Sequence, residues 1–195
     1  AQMHKAITII QFKLEGEIIR RRPEFEMDDR MLLHHIDLKR GVVHIDGKDY
    51  TLKDTNWPTL DPKDPYRLSI EEEDLIRKIL HSFESSEKMK KHMRCFFRHG
   101  GMYQVCNSNL LFHASIPMNP DGTFKSVRIL GQDYKGRALL DRVDQLIRTA
   151  YFKTGEQEEV EYAHDYIWYL WGGKDSPLFD KSLSLIHISE PTRRS

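Results

Sequence analysis

Apolar residues recur at Met3, Ala6, Ile7, Ile10, Leu14, Ile18 and Ile19, close to the period of an α-helix, and Pro23 stops the run. The spacing predicts a helix over residues 1–22 and a shorter one over 28–36. Val42–Ile45 and the run from Lys48 to Leu52 flank Asp46-Gly47. Asp-Gly between two β-prone runs predicts a hairpin, because a type I′ turn needs positive φ at both central residues. Residues 54–68 carry Pro58, Pro62 and Pro65 among several aspartates and read as a loop. Ser69 followed three positions later by Glu72 is a capping box, so a helix is expected from there to about Phe83. A basic helix is expected over 87–97, closed by Gly100-Gly101.

The pattern then shortens. Residues 102–106 and 110–113 are two β runs around an Asn107-Ser108-Asn109 turn, and the second is apolar enough to be a buried strand. Pro120-Asp121-Gly122 is a turn, and 126–130 a strand. Leu139, Leu140, Val143, Leu146, Ile147 and Ala150 line one side of a helix over 136–152. A last helix over 160–171 ends in Trp168, Tyr169 and Trp171, read as core. No internal repeat is visible.

Charge removes some functions. The 30 Lys and Arg equal the 30 Asp and Glu. No excess of positive charge is available to displace counterions, so a nucleic-acid partner is not expected. The apolar runs are too short for a membrane helix. Cys95 and Cys106 cannot make a disulfide framework, which points to the reducing cytoplasm.

His113 is the residue with the most chemical promise. It ends an apolar strand and precedes the small residues Ala114 and Ser115. Ligand and metal groups gather where strands pass into loops, and neutral imidazole suits first-row divalent metals. One histidine does not make a site, and a partly buried histidine bonded to backbone is the plainer reading. His99-Gly100-Gly101 reads as a helix stop. The acidic run from Glu71 to Asp74 sits in a helix first turn, where the dipole favours it. No phosphate-cradling glycine loop and no Gly-x-Ser-x-Gly elbow is present.

A long series of ordered segments resembles class III fructose-1,6-bisphosphatase. Among them are Arg21-Arg22-Pro23-Glu24-Phe25-Glu26-Met27, Asp54-Thr55-Asn56, Asn109-Leu110-Leu111-Phe112-His113, Gly136-Arg137-Ala138-Leu139-Leu140-Asp141, Trp168-Tyr169-Leu170-Trp171 and Ser176-Pro177-Leu178-Phe179. The resemblance covers residues 1–182. It implies an α/β protein, α+β within this stretch. The fold would be part of a calcineurin-like metallophosphoesterase β-sandwich core with a helical and β-hairpin insertion. Residues 1–22 would be a core helix, 23–100 the insertion, and 101–182 core strands and helices.

The activity implied is hydrolysis of fructose 1,6-bisphosphate, a gluconeogenic step, by two metal ions, commonly manganese, that activate water. The substrate is then a small sugar phosphate. The family's Asp-x-His, Gly-Asp-x-x-Asp-Arg-Gly and Gly-Asn-His-Asp motifs have no copy here and are expected upstream. This stretch alone is therefore expected to be inactive. His113 matches the family's strand-end metal ligand, and Arg148 is a weaker candidate for the substrate phosphate. The sequence departs from the family at Ala114 and Asp180, where glycine is usual, and at Ser115 and Gly172, where cysteine is common. Residues 183–195 resemble the translation of a sequencing-library adapter and are expected to be an artefact.

Two other readings fit the same residues. One is a non-enzymatic pseudophosphatase or interaction module built on 23–100. The other is a protein Ser/Thr phosphatase relative, disfavoured because no Gly-Gly follows His113.

Overall fold

The computed structural model describes residues 2–178. Asp180 and the suspected adapter stretch lie outside them. The chain packs as two compact units, the first over residues 1–89 and the second from residue 90 onward.

The first unit is organised by α1 (Gln2–Arg21), which buries Ile9, Ile10 and Ile19. Three basic residues at near-heptad spacing hold the proline-rich loop along it. Lys5 pairs with Asp54 at 2.7 Å, Lys13 donates to the Thr59 carbonyl at 2.7 Å, and Arg20 pairs with Asp64 at 2.8 Å. Residues seven and eight apart share a helix face, which is why one helix can grip 15 residues of irregular chain. Tyr66, fully buried, lies at the end of that loop, with the Arg20 guanidinium 4.8 Å from its ring centre.

The short helix expected over 28–36 is instead two 3₁₀ turns, Asp28–Arg30 and Leu32–His35, followed by a strand, β1 (Ile36–Asp37). Nine residues give little room to recover the cost of helix nucleation. β1 pairs antiparallel with β2 (Val42–Ile45), and β2 with β3 (Lys48–Thr51). The turn between β2 and β3 has Asp46 at φ 50° and Gly47 at φ 75°, the geometry the Asp-Gly pair predicts. Helix α2 (Ile70–Glu84) opens on the full capping box: the Ser69 hydroxyl accepts from the Glu72 N–H, and Glu72 accepts from the Ser69 N–H.

Helix α3 (Glu87–His99) carries the chain into the second unit and stops at Gly100. Strands β4 (Tyr103–Cys106) and β5 (Asn109–Phe112) form an antiparallel hairpin with Val105 opposite Leu110 and Tyr103 opposite Phe112. The loop has two residues, Asn107 and Ser108, both at positive φ. Asn109, expected in the turn, belongs to β5.

Strand β6 (Val127–Ile129) matches the expected run, and β7 (Gln132–Tyr134) pairs with it through Leu130-Gly131. Helices α4 (Gly136–Phe152) and α5 (Gln157–Tyr169) pack together. Their core holds Leu139, Leu140, Val143 and Leu146 of α4 with Val160, Ala163, Tyr166 and Tyr169 of α5. Trp171 corrects the sequence reading: it lies past the end of α5 and is 74% exposed, outside the core.

The described residues thus form a mixed α/β structure of helices and three small antiparallel sheets. No helix among them is long and apolar enough to cross a membrane.

Candidate functional site

Strand β5 delivers His113. Two anchors fix the path of the chain there. Tyr103 at the start of β4 donates its hydroxyl to Asp141 of α4 at 3.0 Å. Just past His113, the Ser115 N–H donates to the Pro177 carbonyl at 3.2 Å and its hydroxyl to the Ser176 carbonyl at 3.3 Å. Both anchors therefore lie at the open end of the hairpin, the start of β4 tied to α4 and the chain after β5 tied to the loop after α5.

The expectation that β5 is a buried strand fails. Leu110 is 47% exposed, Leu111 54% and Phe112 43%, and His113 is exposed as well. A short apolar run marks a strand, but what covers it depends on the rest of the sheet. Among the described residues β5 has β4 on one side only.

His113 opens onto a cleft of about 630 Å³ in the second unit. Its walls include Phe97, Tyr103 and Phe112, with His99, Asp144 and Arg148 as polar members. The structure thus brings the two sequence-derived candidates, His113 and Arg148, to one cavity. It also adds His99 and Asp144. Asp144 was findable, because it lies one helical turn before Arg148 on α4.

Arg148 has a structural task. Its Nε donates to Asp144 at 2.6 Å, its Nη1 to the Phe97 carbonyl at 2.7 Å, and its Nη2 to the Gly100 carbonyl at 3.2 Å. The two carbonyls close the C-terminus of α3, where backbone acceptors lack helical partners and positive charge is favoured. The Phe97 ring lies 5.6 Å beneath the guanidinium and 4.7 Å from the Tyr151 ring. A guanidinium has five N–H groups, so one on Nη1 and one on Nη2 stay available to the cleft. Arg148→Gln is expected to lower stability by about 1–3 kcal/mol, the cost of orphaned acceptors. Urea titration of the variant checks this. An unchanged midpoint would show that the clamp carries no weight.

The cleft does not by itself hold a metal. Among the described residues no three His, Cys, Asp or Glu side chains are placed to bind one ion. Asp144 is already paired with Arg148, which leaves the two exposed imidazoles His99 and His113 in the cleft. A two-metal centre needs several more ligands than these residues offer.

Comparison with known proteins gives one consistent result. Residues 1–186 match the family model described as Firmicute fructose-1,6-bisphosphatase. The fructose-1,6-bisphosphatase class 3 of Bacteroides fragilis is 65% identical over 180 residues, covering 92% of this chain and 27% of that protein. That of Bacteroides thetaiotaomicron is 64% identical over 180 residues, with the same shares. That of Clostridioides difficile is 52% identical over 181 residues, 93% of this chain and 27% of the relative. The chain therefore spans about a quarter of the length of these relatives. No solved structure matches.

Proposed function

The chain belongs to the Firmicute fructose-1,6-bisphosphatase family, and from that premise we propose that the whole protein hydrolyses fructose 1,6-bisphosphate to fructose 6-phosphate and phosphate. The observation that carries this is the 65% identity over 180 residues to a class 3 enzyme of that name. The fold assigned to the whole protein is a calcineurin-like metallophosphoesterase core. Residues 1–22 and 101–182 belong to that core, and 23–100 form an insertion.

His113 is assigned as one ligand of a pair of divalent ions, manganese in this reading. The other ligands must come from outside the described residues. No catalytic step can be built on this stretch alone, because its donor set does not fit the metal pair. Arg148 would use its two remaining N–H groups to hold a substrate phosphate beside His113, a charge-assisted contact. The two free cysteines, Cys95 and Cys106, are exposed and suit a reducing cytoplasm.

Phosphate release from fructose 1,6-bisphosphate with manganese tests the proposal. The 195-residue chain alone is expected to give none, and the whole protein to turn over. In the whole protein, His113→Ala should cut kcat more than about 100-fold, beyond the 10–100-fold typical of second-sphere partners. Turnover by the 195-residue chain would overturn the missing-ligand argument. An intact whole protein without phosphatase activity would favour the interaction-module reading.

A further inference from the structure

Asp144 of α4 uses one carboxylate oxygen and leaves the other open. Its Oδ2 accepts from Arg148 Nε at 2.6 Å, and its Oδ1 has no partner among the described residues. The side chain is 31% exposed and lines the same cleft as His113 and Arg148. Gly101 lies on the Oδ1 side, since a Cβ built on it would stand 3.9 Å from that oxygen. A carboxylate only accepts, so a molecule that meets Oδ1 must bring a donor. Beside it, the guanidinium keeps one N–H on Nη1 and one on Nη2 for an anion. An acceptor thus stands next to an anion holder, among apolar walls at Phe97, Tyr103 and Phe112. In pockets of this make-up the few polar groups fix the ligand's orientation.

We propose that Asp144 is a substrate-contact residue: its Oδ1 accepts a hydrogen bond from a sugar hydroxyl while Arg148 holds the phosphate of the same molecule. This rests on the phosphatase reading above and adds to it the group that tells a sugar phosphate from bare phosphate. Electrostatics supplies the distinction. A carboxylate next to an anion site repels the anion, so inorganic phosphate gains nothing from Asp144. A sugar phosphate meets the same repulsion and offsets it by placing a hydroxyl donor on a charged acceptor, one of the stronger kinds of hydrogen bond. The bond from Arg148 Nε ties Oδ2 and so holds the carboxylate in one orientation before any ligand arrives. Were Asp144 only a prop for Arg148, both ligands would depend on it alike.

Calorimetric binding to the whole protein tests this, with fructose 6-phosphate and inorganic phosphate as the two probes. Asp144→Asn keeps an amide oxygen for Arg148 Nε and turns N–H groups toward the cleft, so the open acceptor is lost while the clamp stays. The variant should bind fructose 6-phosphate at least about 10-fold more weakly, the worth of a hydrogen bond to a charged group. It should bind inorganic phosphate as tightly as the wild type or more tightly, because a negative charge is gone. Equal weakening of both probes overturns the proposal and leaves Asp144 as a prop for Arg148. Unchanged binding of fructose 6-phosphate overturns it as well. Gly101→Ala answers the same question should Asp144→Asn fail to fold. Its Cβ would come no nearer than 3.6 Å to another residue, at the Tyr103 carbonyl oxygen, so the chain accepts it. The methyl covers one side of Oδ1, and should weaken fructose 6-phosphate several-fold while sparing inorganic phosphate; equal binding of the sugar phosphate overturns the contact. Phosphate release from fructose 1,6-bisphosphate is measured on the wild-type protein in parallel. Discrimination at Asp144 without turnover would sink the phosphatase reading and leave the sugar-phosphate contact standing. Turnover without discrimination would sink the contact alone.

Discussion

Replacing Lys13 with alanine is expected to destabilise the first unit by about 3–5 kcal/mol, the usual cost of breaking a buried ion pair from one side. The Lys13 side chain is fully enclosed, and its ammonium meets the Glu72 carboxylate at 2.7 Å. The same ammonium holds the Thr59 carbonyl, and the same carboxylate oxygen accepts from the Ser69 N–H. One contact therefore joins α1, the proline-rich loop and the first turn of α2. Alanine leaves a buried carboxylate facing an orphaned carbonyl. The measurement is the urea midpoint of the variant. The double variant Lys13→Met, Glu72→Gln should recover most of the loss, because the amide keeps the capping box and no charge is stranded. If single and double variants fall equally, the buried charge is not the cause.

The same pair sets an acid response. Burial pushes the Glu72 carboxyl up, but hydrogen bonds from Lys13, Thr59 and the Ser69 backbone outweigh it and hold it below its ordinary 4.5. A carboxyl depressed in the folded state contributes stability that is complete above its unfolded value. That contribution drains away as pH falls below about 4.5 and through the folded value. Lys13→Met, Glu72→Gln should flatten this part of the stability profile.

Gly16→Ala is expected to destabilise the fold by about 1–3 kcal/mol, the range for forcing extra carbon into a packed site. The sign is the informative part. In an exposed helix interior the same change gains roughly 1 kcal/mol. Here a Cβ on residue 16 would stand 2.0 Å from Cδ1 and 2.3 Å from Cε1 of Tyr66. Tyr66 has no free direction to yield, since it is wholly buried and the His34 ring meets it edge-on at 4.9 Å. Gly16→Ala with Tyr66→Leu should lose less than the sum of the two single changes, because the smaller side chain makes room. Strict additivity of the two losses would show that ring and Cβ do not collide.

What could be read from the chain was local. Ser69 and Glu72 announced their capping box, because both partners lie within one helical turn. Asp46-Gly47 announced its hairpin, because only such residues take positive φ readily. Leu130-Gly131 makes the same kind of turn, with Leu130 at φ 48°. It was invisible because leucine pays for that conformation and carries no turn signal. Glu72's second partner, Lys13, lies 59 residues away, and no periodicity links the two. Arg148 was placed on its helix correctly, but its grip on the Phe97 and Gly100 carbonyls needed α3 to be brought beside α4. The apolar run 110–112 showed a strand and hid the fact that its outer face is open.

The fastening of Ser115 to the Ser176 and Pro177 carbonyls also bears on how the protein is made. The bond to Ser176 closes a span of 61 residues. At about 5–20 residues per second of synthesis, that span takes roughly 3–12 s to emerge after Ser115 itself. During those seconds the β4–β5 hairpin and His113 lack at least one of their two anchors, while the exposed Leu110, Leu111 and Phe112 are already outside the ribosome. For this hairpin, the interval when a chaperone has something to hold is set by translation.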